Sequence, residues 1–197
     1  MTETEKMLAG KLYDPYREDL PQRRQLAHEL CQRYNQTPES DGKTREEILS
    51  RLIPNRGKGV WLQGPIQVDF GSQISIGDGS YANFNLVILD ISPVTIGKNV
   101  FIGPNCSIVT PIHPLCFADR NTGMEYSAPV TIGDNCWLGS NVTVLPGVTI
   151  GPGCVIGAGS VVSRSIPAGS LAFGNPCRVV REITQADALE NHPEHFA

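Results

Sequence analysis

The sequence predicts a mainly β fold, a coil of short parallel strands that turns a corner every six residues. The second half of the chain has aliphatic residues spaced six apart, and glycine follows many of them. A small or β-branched residue comes four positions after most of them. A helix repeats its apolar face about every 3.6 residues and a flat strand about every two, so neither explains a period of six. The spaced aliphatic residues are Ile96, Ile102, Ile108, Ile132, Leu138, Val144, Ile150, Ile156 and Val162.

Two interruptions break the period. The larger one is a segment rich in Pro, His, Asp, Asn and Gly at positions 111–129, which contains His113. Insertions in repeat arrays usually form loops on a functional face, so this loop is predicted to carry part of a site. The smaller one adds two residues near positions 90–93. The early register is predicted to run through Phe70, Ile76, Ala82 and Ile88, with a step of eight to Ile96.

Three segments are predicted along the chain: a helical cap at 1–57, the coil at 58–180 with its inserted loop at 111–129, and a tail at 181–197. Within the cap, residues 20–34 have apolar side chains at helical spacing. Residues 44–53 form a second predicted helix, whose Thr44 and Glu47 are spaced as a capping box. Because a repeat array needs its open end covered, these helices are expected to cap the coil. The end of the chain, from Arg178 to Ala197, is expected to add one strand and a short helix.

Composition favours a cytoplasmic protein that binds neither nucleic acid nor membrane. The 197 residues have a formal net charge of −4 and contain no Lys/Arg cluster of the kind that contacts nucleic acid. The amino terminus lacks the apolar core of a signal peptide, and no apolar run approaches the roughly 18 residues of a membrane span. None of the six cysteines forms a CxxC pair, and three fall on one small-residue position of the repeat. These are predicted to be reduced core fillers.

Hexapeptides of this form, together with several other motifs, resemble the maltose/galactoside O-acetyltransferases, a family of hexapeptide-repeat acyltransferases. The resemblance covers nearly the whole chain and implies a left-handed parallel β-helix. The motifs that carry it are Ala9-Gly10-Lys11-Leu12-Tyr13, Tyr81-Ala82-Asn83-Phe84-Asn85, His113-Pro114, the segment at 129–139 and Gly174-Asn175-Pro176-Cys177-Arg178-Val179.

The resemblance implies three catalytic residues. His113 matches the loop histidine that removes a proton from a sugar hydroxyl, which is a poor nucleophile at neutral pH. Asn83 matches a residue near the reacting centre, where its amide can donate and accept hydrogen bonds. Glu125, at the end of the same loop, is expected to orient His113 or to bind a substrate hydroxyl. Asn85 is more simply explained as a corner of the coil.

Four further residues are candidate ligands of the acceptor sugar. Asp69 and Asp90 are carboxylates, which bind sugar hydroxyls through charge-assisted hydrogen bonds. Asp90 lies at the smaller interruption, next to Ile91, where some relatives have a second acid. Tyr81 could present an aromatic face to a sugar ring. Asp14 lies close to the sequence position at which members of the family have an aspartate that contacts the acceptor.

The late coil is expected to bind the donor, acetyl-CoA, with no metal. Tight turns there expose backbone groups that can pair with the amide-rich pantetheine arm, and arginine suits phosphate oxygens. The residues that match the family's donor pattern are Trp137, Ser140, Ala158, Ser163, Arg164, Arg178 and Arg181.

Several alternatives remain open from the sequence. An acetyltransferase of the same fold could act on an antibiotic or another hydroxylated small molecule. A metal enzyme like the γ-class carbonic anhydrases would need three histidine ligands, and the other histidines fall outside the coil. A non-catalytic scaffold would not need His113 and the donor residues. A covalent route through Cys116, three residues after His113, is disfavoured because the family transfers the acetyl group directly.

The outward positions of the coil predict self-association. Several are apolar, namely Val109, Leu145, Val161 and Leu171, and a monomer seldom exposes a long apolar side. The family forms a homotrimer with active sites in the clefts between subunits. The resemblance therefore implies a threefold assembly here, which closes on itself and avoids filaments.

Overall fold

The computed structural model describes residues 1–195 and is a parallel β-helix preceded by helices. The helices are α1 (Glu3–Leu8), α2 (Leu20–Gln36), α3 (Gly42–Leu52) and the short α4 (Phe117–Arg120). The strands are β1 (Asn55–Arg56), β2 (Trp61–Leu62), β3 (Ile66–Val68), β4 (Ile74–Ile76), β5 (Tyr81–Ala82), β6 (Leu86–Leu89), β7 (Val94–Ile96), β8 (Phe101–Ile102), β9 (Ser107–Val109), β10 (Pro111–Ile112), β11 (Tyr126–Ser127), β12 (Val130–Ile132), β13 (Trp137–Leu138), β14 (Thr143–Val144), β15 (Thr149–Ile150), β16 (Val155–Ile156), β17 (Val161–Val162), β18 (Ser170–Gly174) and β19 (Cys177–Glu182).

Three sheets form the faces of the coil, and their coil strands pair in parallel. The first face has the order β1-β4-β7-β12-β15, the second face β19-β18-β16-β13-β8-β5-β2 and the third face β17-β14-β9-β6-β3. The chain visits the faces in the order first, second, third and then first again. The edge at which the chain leaves the second face is called the second–third edge. The edge at which it leaves the third face is called the third–first edge.

Strand register shows that the insertions all enter at the third–first edge. In the last turns, partners are 18 residues apart, as for Thr131 and Thr149. In the first turns they are 20 apart, as for Val68 and Ile88. Ile132 pairs directly with Ile96, 36 residues earlier, because the inserted loop lengthens the chain without adding a turn to the coil. The predicted loop 111–129 therefore lies on the same edge as two shorter insertions, one in each of the preceding turns.

The predicted early register was wrong at Phe70. Val68, and not Phe70, is the inward residue that pairs with Ile88. Phe70 belongs to the first two-residue insertion, and it packs in a separate buried cluster with Met7, Tyr13, Leu20 and Ile91. This cluster joins the N-terminal segment to the third–first edge.

The interior of the coil is one continuous apolar core that includes the buried faces of α2 and α3. The thiols of Cys106, Cys136 and Cys154 are buried and lie 3.2, 3.1 and 3.0 Å from backbone carbonyl oxygens. All six cysteines of the chain are unpaired. The prediction that the three repeat-position cysteines fill the core is confirmed.

The helices cover the first turn of the coil, with one detail different from the sequence prediction. The Asn35 side chain donates to the Ile66 carbonyl at 2.9 Å and accepts from its N–H at 2.8 Å, so α2 is tied to β3. The cap of α3 is Asp41, whose carboxylate accepts from Thr44 N at 3.1 Å. The predicted capping box beginning at Thr44 was wrong, because Thr44 already lies inside the helix.

The end of the chain forms β19, which pairs antiparallel with β18, and short 3₁₀ turns follow it. The predicted strand is confirmed, but the helix is replaced by these turns. Within residues 1–195, none of the helices has the length and hydropathy needed to span a membrane.

Candidate active site

A cavity of about 400 Å³ opens at the third–first edge, beside the inserted loop. Four parts of the chain meet there: the segment before α2, helix α2, the corners of the first two turns, and both ends of the loop. Its lining residues are Pro15, Tyr16, Arg24, His28, Asp69, Leu89, Ile91, Pro111, His113, Gly123 and Glu125. The cavity falls in the size range of small-molecule sites, about 300–1,000 Å³.

His113 and Glu125 are brought together by the loop. Strands β10 and β11 pair antiparallel at its base, with Ile112 opposite Tyr126. His113 follows one strand and Glu125 precedes the other, so the hairpin places the two side chains side by side. His113 Nε2 lies 3.6 Å from Glu125 Oε2. The His113 side chain is 53% exposed, whereas that of Glu125 is 10% exposed.

Tyr13 closes the other side of Glu125. Its hydroxyl donates to Glu125 Oε1, and the two residues also form a backbone bridge. Burial, followed by this hydrogen bond to a carboxylate, raises the pKa of Tyr13 well above its usual range. At neutral pH Tyr13 is therefore protonated and donates this hydrogen bond.

A second histidine–carboxylate pair faces the cavity. His28 Nε2 lies 3.8 Å from Asp69 Oδ1. Burial raises the pKa of Asp69, and the nearby charges of His28 and Arg24 oppose that rise. Arg24 also lines the cavity, where its guanidinium lies 6.0 Å from the centre of the Tyr16 ring.

Asp90 does not line the cavity, and its prediction as a sugar ligand was wrong. The residue is completely buried, and its carboxylate accepts from the backbone N–H groups of Asp69, Phe70 and Gln73. Burial raises the pKa of Asp90 to about 7 even though these hydrogen bonds favour the charged form. The neighbouring Ile91 is the residue that faces the cavity.

Asp14 is likewise outside the cavity lining. Its carboxylate accepts from Tyr16 N at 3.0 Å and from Arg17 Nε at 2.9 Å. These two contacts, in that order, lower the pKa of Asp14. Pro15 and Tyr16 take the place that the sequence suggested for Asp14.

Asn83 and Tyr81 lie elsewhere on the same chain. Asn83 is at the second–third edge, where its Oδ1 accepts from Phe84 N at 2.7 Å. Tyr81 is on the second face, in register between Trp61 and Phe101. Neither belongs to the cavity that holds His113. Asn85 is a left-handed corner with φ +61°, as expected.

Five of the seven predicted donor residues fall into three groups. Ser140 and Ala158 occupy neighbouring corners of the second–third edge, where the Gly159 N–H donates to the Ser140 carbonyl at 2.8 Å. Trp137 is 55% exposed on the second face, next to Phe101 in the adjacent strand. Ser163 and Arg164 are exposed at the third–first edge, where the chain leaves β17, two turns after the inserted loop.

The three predicted arginines differ in their surroundings. Arg164 is exposed, and the exposed Arg178 donates to the adjacent Cys177 carbonyl at 2.8 Å. Arg181 donates to both carboxylate oxygens of Asp187, at 2.8 and 2.6 Å, and this contact raises the pKa of Arg181. Its guanidinium is already paired, which weakens the prediction that it binds a phosphate.

Sequence reasoning missed the contribution of α2 to the site. Arg24 and His28 are four residues apart and therefore share one face of the helix. That spacing was visible in the sequence, but the histidine was set aside because it lies outside the coil. Among residues 1–195, the group with metal-ligand spacing is His192, Glu194 and His195, and none of these lines the cavity.

Most of the chain is similar to known protein families. Residues 6–57 match the model of the maltose acetyltransferase hexapeptide capping motif, residues 93–113 the hexapeptide repeat of succinyl-transferase, and residues 129–164 the bacterial transferase hexapeptide (six repeats). The chain is 43% identical to the galactoside O-acetyltransferase of Escherichia coli strain K12, over 95% of this chain and 92% of that protein. The chain belongs to the maltose/galactoside O-acetyltransferase family.

Solved structures of this acyltransferase family agree with the fold. A maltose O-acetyltransferase from Clostridium difficile 630 superposes with a TM-score of 0.92 at 43% identity, over 94% of this chain and 99% of the other. A galactoside acetyltransferase in complex with coenzyme A gives 0.91 at 41% identity, over 100% and 95% of the two chains. The family predicted from the sequence motifs is confirmed, as is the mainly β solenoid fold.

Proposed function

We propose that this family member transfers the acetyl group of acetyl-CoA to a hydroxyl of a sugar of the maltose, glucose or galactoside type. The observation that carries the proposal is the pairing of His113 with Glu125 in the lining of the cavity. The family relationship supports the reaction class, because its named relatives are O-acetyltransferases of maltose and galactosides and one solved relative binds coenzyme A.

The proposed chemistry is direct transfer. His113 accepts the proton of the sugar hydroxyl as that oxygen attacks the thioester carbonyl. The Glu125 carboxylate stabilises the imidazolium that forms. The new C–O bond replaces the C–S bond, and His113 returns the proton to the departing coenzyme A thiolate. A backbone N–H stabilises the oxyanion in between.

Acceptor binding is assigned to the other polar groups that line the cavity. Asp69 can accept from sugar hydroxyls, and Arg24 and His28 can donate to them. Together these side chains offer both hydrogen-bond acceptors and donors to the hydroxyl groups of a sugar. Leu89 and Ile91 supply the apolar surface between these polar groups.

The complete site requires more than one subunit. His113 lies at the third–first edge, whereas Asn83, Ser140 and Ala158 lie at the second–third edge of the same chain. A cyclic homotrimer would place the second–third edge of one subunit against the third–first edge of the next. The second face supports such packing, because Trp61, Phe101 and Trp137 are each more than 40% exposed there.

Exposure also revises the surface expected to associate. The outward residues first singled out, Val109, Leu145, Val161 and Leu171, are each only half-exposed. The larger aromatic side chains of the second face are the better candidates for the subunit contact.

A cytoplasmic location remains part of the proposal, and the six unpaired cysteines suit a reducing compartment.

An acceptor panel with acetyl-CoA, followed by release of free thiol, tests the function. Maltose, glucose and galactosides should support thiol release above the rate without acceptor. The panel should include hydroxylated antibiotics and amines as comparison acceptors. Exclusive activity on an antibiotic or an amine would contradict the sugar assignment.

A further inference from the structure

We propose that Tyr13 is a positioning residue for Glu125, so that the N-terminal segment forms part of the catalytic apparatus as well as a cover for the coil. The inference rests on the proposed role of His113 as the base. It concerns a residue that contacts neither acceptor nor donor in the proposed reaction and acts only through the carboxylate that faces the histidine.

The two oxygens of Glu125 have separate partners. Oε1 accepts from the Tyr13 hydroxyl, and Oε2 faces His113 Nε2 at 3.6 Å. A carboxylate fixed at one oxygen keeps the direction of the other. Tyr13 thus determines where the negative charge lies relative to the imidazolium that forms during transfer.

The backbone fixes the same relationship. Tyr13 N donates to the Glu125 carbonyl at 3.0 Å, and Glu125 N donates to the Tyr13 carbonyl at 3.2 Å. Main-chain and side-chain contacts thus join the same two residues, which are 112 positions apart in the chain. The backbone pair holds the two segments together whatever the side chain, and the phenol adds the one contact that reaches the Glu125 carboxylate.

Burial makes the phenol necessary. Tyr13 is fully buried, and its ring packs with Met7, Leu20, Phe70 and Ile91. Glu125 as a whole residue is 7% exposed. A buried carboxylate without a hydrogen-bond donor destabilises the folded protein. The phenol is a neutral donor at this position, so it satisfies one oxygen without adding a charge that would compete with His113.

A second contact holds the same two segments together. Ser127 Oγ donates to the Met7 carbonyl at 3.2 Å. Gly10 adopts φ +66°, and a Cβ built on it would lie 2.9 Å from the Ser127 carbonyl oxygen. Residues 7–13 therefore pack closely on residues 125–127, which limits the movement of the loop end that carries Glu125.

The test compares Tyr13→Phe, Glu125→Gln and the double variant. Tyr13→Phe removes one oxygen and keeps the ring, so its melting temperature checks that the fold is retained. We expect kcat to fall about tenfold, the effect of losing one hydrogen bond to a charged group. The KM for acetyl-CoA should stay within about twofold of wild type, since no donor contact is removed.

Coupling separates positioning from general stabilisation. If Tyr13 acts through Glu125, adding Tyr13→Phe to Glu125→Gln should lower kcat by no more than about twofold further. Leu20→Ala is the matched control, because it weakens the same buried cluster without touching Glu125. It should lower the melting temperature and leave kcat near wild type below the transition.

Two outcomes would overturn the inference: a wild-type kcat in Tyr13→Phe, or losses from the two single variants that multiply in the double variant. His113→Ala is measured in the same series. If it keeps its turnover, the base assignment fails regardless of Tyr13. If it is inactive while Tyr13→Phe is normal, only the positioning role fails.

Discussion

The Asp90 carboxylate accepts a hydrogen bond from the backbone N–H of Asp69, with Oδ1 3.1 Å from that nitrogen. It also accepts from the next N–H, that of Phe70, at 2.9 Å. One acid of the second turn therefore fixes the corner of the first turn, and that corner presents the other acid to the cavity. Two aspartates that look equivalent in the sequence have different tasks.

Asp90 should make stability depend on pH. Its pKa in the folded protein is raised to about 7, above the unfolded value near 4, so the native state binds the proton more tightly. The stability that this group contributes is therefore lost as the pH rises from about 4 to about 7. Denaturant unfolding of wild type and Asp90→Asn at pH 4.5 and 7.5 should show wild type losing free energy relative to the variant at the higher pH. A difference that stays constant with pH would contradict this assignment.

Asp69 should affect the acceptor and not the donor. Asp69→Ala removes a carboxylate from the cavity wall, so the acceptor KM should rise about tenfold, the effect of losing a charged hydrogen bond. The KM for acetyl-CoA should be unchanged. Asp14→Ala is the control, because that carboxylate contacts Arg17 and Tyr16 N instead of the cavity. Equal effects of the two substitutions would show that the cavity is not the acceptor site.

Cys116 should not carry the acetyl group. It is exposed on the loop, and direct transfer needs no covalent intermediate. Cys116→Ser should therefore keep most of the activity. Intact mass after incubation with acetyl-CoA alone should show no added acetyl group. A stable adduct on Cys116 would favour a covalent route instead.

Assembly should be required for activity. Light scattering during turnover should give a mass near three times that of the 21.4 kDa chain. Dilution or substitution that separates the subunits should remove activity, because Asn83 and His113 occupy different edges of one chain. Trp61→Glu on the exposed second face is one such substitution. A fully active monomer would contradict both the trimer and the shared site.

The period of six predicted the coil because each hexapeptide builds its own strand and corner from local residues. Its phase in the early turns was harder to read. Val68 and Phe70 are both apolar, and only pairing with Ile88 shows which one points inward. The insertion that displaces Phe70 also places it against Tyr13 and Met7, a contact between distant segments that local spacing does not encode.

The loop was predicted from its composition, and the structure places His113 and Glu125 together at its two ends. The other walls of the cavity depend on tertiary packing. Whether Asp90 or Ile91 faces outward depends on which backbone N–H groups lie beneath the corner. The roles of Arg24 and His28 depend on how α2 lies across the first turn of the coil. Their helical spacing shows that they share a face of α2, but it does not show what that face contacts.

The proposed mechanism requires His113 as the base for transfer to a hydroxyl. His113→Ala tests it most directly, since the side chain is half-exposed and its removal should leave the melting temperature unchanged. With acetyl-CoA and the best acceptor of the panel, kcat should fall by roughly 10² or more, the usual contribution of a general base. The affinity for acetyl-CoA, measured separately by calorimetry, should be unaltered. A folded His113→Ala enzyme with turnover close to wild type would show that His113 is not the base.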